Sequence, residues 1–306
     1  MRFGKSEGTN EKETPSDWFL LEHPDFSPAR IADSGQCFRM TAVGERTFRL
    51  IAGGRVLLIR ETEDAPGRFS LSCSEEEFCT FWRSYFDLDH DADYEAARAK
   101  VPKSDVYLQR AMRYGYGIRI LRQEPFETLI SFIISQCRSV PAIRTAVEKL
   151  STAFGTRLQE TALTGADRSL PPLYAFPTPV QLAAASPEAL GACGLGYRTS
   201  YVAACARRVA DGEIDLNALS TLSTEEVIEA LRSFQGVGVK VASCTALFGY
   251  HRLDAAPVDV WMDRVIRSVY GGTFPEAYHD RAGILQQYLF YYARTERTAG
   301  KKAASA

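Results

Sequence analysis

The sequence predicts an α+β protein, a small antiparallel-sheet domain followed by a larger, wholly helical one. Three observations carry this. Alternating apolar runs rich in β-branched and aromatic residues are confined to residues 17 to about 100. Helical periodicity takes over from about residue 102 and continues almost to the end. The 306 residues are enough for two substantial cores. The expected organisation is a disordered polar tail (1–16), a sheet domain (17–118), a helical domain (119–297) and a second disordered tail (298–306).

In the first domain, residues 47–51 and 55–60 flank Ala52-Gly53-Gly54, a hairpin turn, and residues 68–73 form another alternating run. Ser74 opens a helix, with Glu77 placed to complete a capping box. Phe78, Phe81, Trp82 and Tyr85 then recur at helical spacing, as core residues do. In the second domain, residues 125–137 form a broadly apolar helix, and residues 140–155 another that ends at Gly155. Residues 186–195 and 198–212 follow, the latter closed by Gly212. Ser223 and Glu226 make a second capping box, and residues 259–272 and 277–295 complete the helical set. No internal repeat of fixed period is present.

The composition, 45% hydrophobic and 24% charged, is that of a soluble globular protein. No apolar run approaches a membrane span, and the first residues carry no signal-peptide core, so no membrane partner is expected. The seven cysteines show neither a secreted disulfide framework nor paired metal-ligand spacing. Reduced thiols in a bacterial-type cytoplasm or a nucleus are expected, with no metal site. No cysteine follows Cys244, which argues against an iron–sulfur cluster. The net charge of −2 at first argues against a nucleic-acid partner. Its distribution is uneven, however: residues 61–97 are strongly acidic and residues 98–149 strongly basic. Such an inversion describes two solvated faces or a surface that tolerates DNA.

The chemistry lies between Leu231 and Arg264. A helix runs into Gln235-Gly236-Val237-Gly238-Val239 and restarts at Lys240, and a further helix start follows at Pro257-Val258-Asp259. Glycines between two helices let backbone N–H groups and a helix dipole hold a phosphate, and a monovalent cation on the hairpin carbonyls fits the same site. Two glycines alone equally describe a tight helical hairpin. Lys240 stands where the dipole disfavours an ammonium ion, and a free lysine amine is a Schiff-base nucleophile. Asp259 stands where the dipole favours a carboxylate, although an aspartate there is most often just a cap. Together they offer an amine to attack a sugar C1′ and an anion to stabilise an oxocarbenium-like transition state.

This segment resembles the helix-hairpin-helix DNA glycosylase superfamily, and within it the 8-oxoguanine DNA glycosylase family. Ser34-Gly35-Gln36-Cys37-Phe38-Arg39, the runs beginning at Trp82, Gly117 and Gly194, and the helix with Gln286 and Phe290 carry the likeness across most of the chain. The resemblance implies a TBP-like N-terminal domain, no required cofactor, and a monomer acting on double-stranded DNA containing 8-oxoguanine. It implies a flipped base held between Cys244 and Phe290, with Gln286 on its Watson–Crick edge and Pro257 in the same pocket. The Gly35 carbonyl would accept the N7 hydrogen that guanine lacks. Guanine there would leave a buried polar group unpaired, at about 1–3 kcal/mol. That is roughly 5- to 150-fold, against on the order of 10⁶–10⁹ competing sites, so flipping cost must also discriminate.

The chain departs from the family pattern in places. The intercalating asparagines align with Cys137-Arg138-Ser139. Tyr197 and Arg198 match residues that hold the estranged base, while a second arginine aligns with Ala142, so preference for cytosine opposite the lesion is expected to relax. Trp261 replaces a phosphate-contacting histidine, Gln235 stands at the usual hairpin proline, and Ala293 at an acidic position. The implied reaction, a step of base-excision repair, is base excision by Lys240 with Asp259, then β-elimination at the 3′ side. A glycosylase for another damaged base and a non-catalytic hairpin protein are the alternatives. The former's alkylated-base branch does not use this lysine, and a mere binder has no need of Lys240, Asp259, Gln286 and Phe290 together. A prokaryotic chain would work in the cytoplasm and a eukaryotic one in the nucleus.

Overall fold

The computed structural model describes residues 18–63, 65–158 and 172–304, the last eight as backbone alone. The expected tail at 1–16 lies outside the described residues. Five antiparallel strands form one sheet in the order β1-β5-β4-β3-β2: β1 (Phe19–Glu22), β2 (Met40–Gly44), β3 (Thr47–Ala52), β4 (Arg55–Glu61) and β5 (Arg68–Leu71). Ala52 pairs with Arg55 across Gly53 and Gly54, whose φ values of +55° and +72° are those a two-residue type I′ turn demands. Leu50, Leu57, Ile59, Phe69 and Leu71 bury one core with Ile31 of α1 (Pro28–Asp33) and the aromatic residues Trp82 and Phe86. Edge strand β2 shifts register against β3 between Ala42 and Gly44, an irregularity that limits pairing with other chains.

Residues 75–85 are helical but irregular: α2 (Glu75–Glu77), a π turn (Phe78–Trp82) and α3 (Arg83–Tyr85). The capping box expected at Ser74 is only half made. Ser74 Oγ accepts from Glu77 N at 3.1 Å, but the Glu77 carboxylate turns away to accept the indole N–H of Trp82 at 2.9 Å. Trp82 is fully buried, so leaving its N–H without a partner would cost more than the second cap bond contributes. At Ser223 both halves of the box form.

The rest is helical: α4 (Asp91–Ala99), α5 (Val106–Tyr114), α6 (Pro125–Ser135), α7 (Val140–Phe154), α8 (Pro179–Ala183), α9 (Pro187–Ala192), α10 (Thr199–Ala210), α11 (Thr224–Arg232), α12 (Val239–Gly249), α13 (Val260–Val269) and α14 (Ala282–Ala304). Helices α6 and α12 are apolar on nearly every face and lie against each other in the middle of this core, with Phe132 and Phe248 stacked at 5.6 Å. Helix α14 packs on α4, α5 and α13. It runs to Ala304, past the position where the sequence suggests a tail, its Ala and Lys residues favouring helix and carrying it through Gly300. The cores interlock near the sequence-based boundary: Tyr94, Leu108 and Met112 belong to the helical core, and Leu121 to the sheet core.

The inverted charge blocks meet at the ion pairs Arg119–Asp91 and Arg122–Asp87, and others of their charges pair with further parts of the chain. Arg119, fully buried, lies 2.9 Å from Asp91 and 3.6 Å from Asp25, with its guanidinium over the Tyr94 ring. Arg98 pairs with Asp25 at 2.7 Å and Arg122 with Asp87 at 2.9 Å. Asp87 also accepts from Tyr94 at 2.9 Å and lies 3.1 Å from His251, in the turn that leaves α12. The Trp82–Asp91 run thereby pins the sheet domain to the helix that carries Lys240.

Candidate active site

The hairpin sits between α11 and α12, with Gly238 as N-cap of α12 and Lys240 in its first turn. Its two glycines do different work. Gly236 has φ +79°, and a Cβ there would lie 2.3 Å from the Tyr201 ring, so both conformation and space require glycine. Gly238 has φ −88°, and its missing Cβ faces open space, which leaves the N-terminal amides of α12 accessible. Gln235 and Val239 flank it and are exposed.

Asp259 caps α13, as expected: its Oδ1 accepts from the backbone N–H of Trp261 and of Met262, each at 2.9 Å. Lys240 is half-buried, with Nζ 4.9 Å from the centre of the Phe132 ring. Both residues line an inner recess of about 50 Å³ whose other walls include Gly35, Cys244, Pro257, Gln286 and Phe290. The seven residues, scattered over more than 250 positions of sequence, therefore converge. One helix turn separates Lys240 from Cys244. Burial pushes the Cys244 thiol up from its ordinary value, and the adjacent Lys240 pulls it back. Gln286 donates to the Pro257 carbonyl at 3.1 Å, while its Oε1 is buried without a hydrogen-bond partner among the described residues. Gly35 has φ +76°, and a Cβ on it would approach Phe290 to 3.3 Å.

The recess opens into a cleft of about 780 Å³ that shares Gly35, Phe132, Lys240, Asp259 and Phe290 and adds Cys137, Arg138 and Trp261. Cys137 is exposed at the tip of the α6–α7 loop with φ +52°, a left-handed conformation that costs a cysteine more than an asparagine. Arg138 donates to the Gly194 carbonyl. Tyr197 is exposed, but Arg198 is buried at 5% exposure, its guanidinium bound to the carbonyls of Leu195 and Gln136. Arg198 thus braces this loop rather than standing open to solvent.

Gln136 is a residue the sequence did not single out. Its side-chain amide donates to Gly236 at 3.1 Å, and its carbonyl accepts from Arg198, so one residue joins the hairpin, the Cys137 loop and the Gly194–Arg198 loop. Only its place beside Cys137 hinted at this. Among the described residues no group of His, Cys, Asp or Glu is placed to hold a metal ion, and no helix is long and apolar enough to cross a membrane.

Comparison with known proteins agrees with this geometry. The N-terminal domain of 8-oxoguanine DNA glycosylase matches residues 19–129, and the HhH-GPD superfamily of base excision DNA repair proteins matches residues 130–281. The N-glycosylase/DNA lyase of Saccharomyces cerevisiae is 31% identical over 208 residues, 64% of this chain and 53% of that protein. A probable N-glycosylase/DNA lyase of Methanothermobacter thermautotrophicus is 28% identical over 58% of this chain and 64% of its own length. The chain therefore spans between half and two thirds of these relatives. The structure of Clostridium acetobutylicum 8-oxoguanine glycosylase/lyase in complex with double-stranded DNA containing cytosine opposite 8-oxoguanine is 31% identical. It superimposes with a TM-score of 0.80 over 93% of this chain and 98% of that one. With both domains matched in order and the pocket assembled, the chain belongs to the 8-oxoguanine DNA glycosylase family of the HhH-GPD superfamily.

Proposed function

We propose that the protein is a bifunctional base-excision-repair enzyme, removing 8-oxoguanine from duplex DNA and then cleaving the strand as an AP lyase. The observation that carries this is the convergence of Lys240, Asp259, Cys244, Gln286 and Phe290 on one recess. The flipped base lies between Cys244 and Phe290. The unpaired Gln286 Oε1 accepts from its Watson–Crick edge, and the Gly35 carbonyl accepts from N7–H. At about 50 Å³ the recess is well below the roughly 300 Å³ at which ligand pockets begin, so the Phe290 and Lys240 side chains move as the base enters.

Lys240 Nζ forms a bond to C1′ as the C1′–N9 bond breaks, and the base leaves with the electron pair and takes up a proton. Asp259, with Oδ1 held by two N–H groups, presents its negative charge to the cationic sugar. Opening of the sugar ring gives a Schiff base. Loss of a C2′ proton then expels the 3′ phosphate by β-elimination, and hydrolysis frees Lys240.

Gly236, Gly238, Val239 and Gln235 hold a phosphate at the hairpin, with a monovalent cation on the hairpin carbonyls. Trp261 meets the backbone beside the cleft, Cys137 and Arg138 enter the vacated stack, and Tyr197 meets the estranged base with Arg198 behind it. The protein acts as a monomer, in the cytoplasm of a prokaryote or the nucleus of a eukaryote. Turnover of 8-oxoguanine, alkylated-base and abasic duplexes, each with all four opposite bases, tests the reading. Excision of 8-oxoguanine with relaxed preference for the opposite base supports it. Preferred release of alkylated bases, or binding without turnover, overturns it.

A further inference from the structure

The carbonyls of residues 31–36 lead into the wall of the recess, and every one but a single carbonyl is claimed by a donor. Ile31 O accepts from Ser34 N and Oγ, Ala32 O from Arg144, and Asp33 O from Arg294. Ser34 O accepts from Gln287 Nε2 at 2.7 Å, and Gln36 O from Gln123 Nε2 at 2.7 Å. Among the described residues, no hydrogen bond reaches the Gly35 carbonyl. Glycine at φ +76° has little orientational preference of its own, so its neighbours must impose the direction of that carbonyl.

Arg294 is the side chain that touches both walls. It donates to Asp33 O, pairs with Asp33 Oδ2 at 2.7 Å, and lies 5.7 Å from the centre of the Phe290 ring. One of its Nη atoms lies 3.9 Å from the position a Gly35 Cβ would take. Gln287 and Arg294 belong to α14, the helix that also carries Gln286 and Phe290, so the same rigid element holds the carbonyl and the groups opposite it.

We infer that Arg294, with Gln287, is a positioning residue for lesion recognition, fixing the Asp33–Gly35 segment against α14 so that the unclaimed Gly35 carbonyl cannot retreat. An acceptor distinguishes N7–H from an N7 lone pair only while it is held in place; a loop free to relax would lose that contrast. This inference rests on the glycosylase reading above.

The test measures two single-turnover rates on the full chain: excision from an 8-oxoguanine duplex and strand cleavage of a preformed abasic duplex. The second needs Lys240 but no base in the recess. Arg294→Ala slows excision about 10- to 100-fold while abasic cleavage stays within about twofold, and Arg294→Lys recovers part of the loss. Gln287→Met, which removes the donor and keeps the length, produces the same split and serves should Arg294→Ala fold poorly. Equal loss of both rates, or no loss of excision, overturns the inference. A wild-type chain that cleaves abasic DNA but excises no 8-oxoguanine overturns the glycosylase reading beneath it instead.

Discussion

The side-chain amide of Gln136 donates to the carbonyl of Gly236 at 3.1 Å, joining the loop after α6 to the glycine hairpin before α12. A DNA strand lying across both would meet them as one surface. Gln136→Ala removes this bond, worth about 1 kcal/mol, and lets the two loops move independently. Affinity for an abasic-analogue duplex at fixed salt should fall about fivefold with little change in Tm. Unchanged affinity would mean that the loops act separately.

The two hairpin glycines separate fold from binding. In Gly236→Ala the new methyl meets the Tyr201 ring at a left-handed φ, and stability should drop by about 1–3 kcal/mol in a denaturant titration. Gly238→Ala adds its methyl into open space at an ordinary φ, so stability falls only by the roughly 1 kcal/mol that alanine costs at an N-cap, while DNA affinity falls. A Gly238→Ala chain that binds as tightly as wild type would show that no backbone phosphate comes close to this turn.

Tyr197 and Arg198, adjacent in sequence, should behave differently. Arg198→Ala leaves the carbonyls of Leu195 and Gln136 without their donor and should cost about 1.5–3 kcal/mol of stability. Tyr197→Ala removes an exposed ring and should leave stability within about 0.5 kcal/mol while changing excision rates across the four opposite bases. Equal Tm losses in the two variants would contradict this division.

Acid should weaken the fold in two stages. Burial lowers His251 from its ordinary 6.5 despite the nearby Asp87. The unfolded chain then takes a proton that the folded chain resists, so stability is full above pH 6.5 and declines below it. His23, lowered by burial in the same way, adds to that decline. Burial would raise the Asp87 carboxyl, but His251, Arg122 and Tyr94 together outweigh it and hold the group at about 2, against 3.8 when free. Its contribution, about 2 kcal/mol, is present above pH 3.8 and lost as the pH falls towards 2. Tm measured from pH 8 to 2 should show both declines in wild type and less of the upper one in His251→Gln. A wild-type Tm flat from pH 7 to 5 would rule out buried neutral histidines.

How much of this could be read from sequence depends on where each bond goes. Lys240, Asp259 and the hairpin were legible because helix starts, caps and glycine turns are local chemistry, written within a few residues. The base pocket was not, since Gly35, Cys244 and Gln286 look like a turn glycine, a core thiol and a helix polar residue until a family resemblance joins them. Gln136, Gln287 and Arg294 carry no local mark of their roles. They bond to backbone carbonyls 100, 253 and 261 positions away, and a carbonyl leaves no mark in sequence. The charge inversion is visible in sequence as two solvated faces or a surface that tolerates DNA, but not the folding of Asp87, Asp91 and Asp93 onto Arg122, Arg119 and Arg281. The short edge strands β1 and β2 left too little alternation to stand out from loop.

The central claim is that Lys240 forms a covalent bond to the sugar of the excised nucleotide. Borohydride reduction during reaction with an 8-oxoguanine duplex tests it most directly. A protein–DNA adduct should form with the lesion duplex, be absent with undamaged DNA, and vanish in Lys240→Gln along with strand cleavage. No adduct from wild type, together with full strand cleavage by Lys240→Gln, would contradict the account.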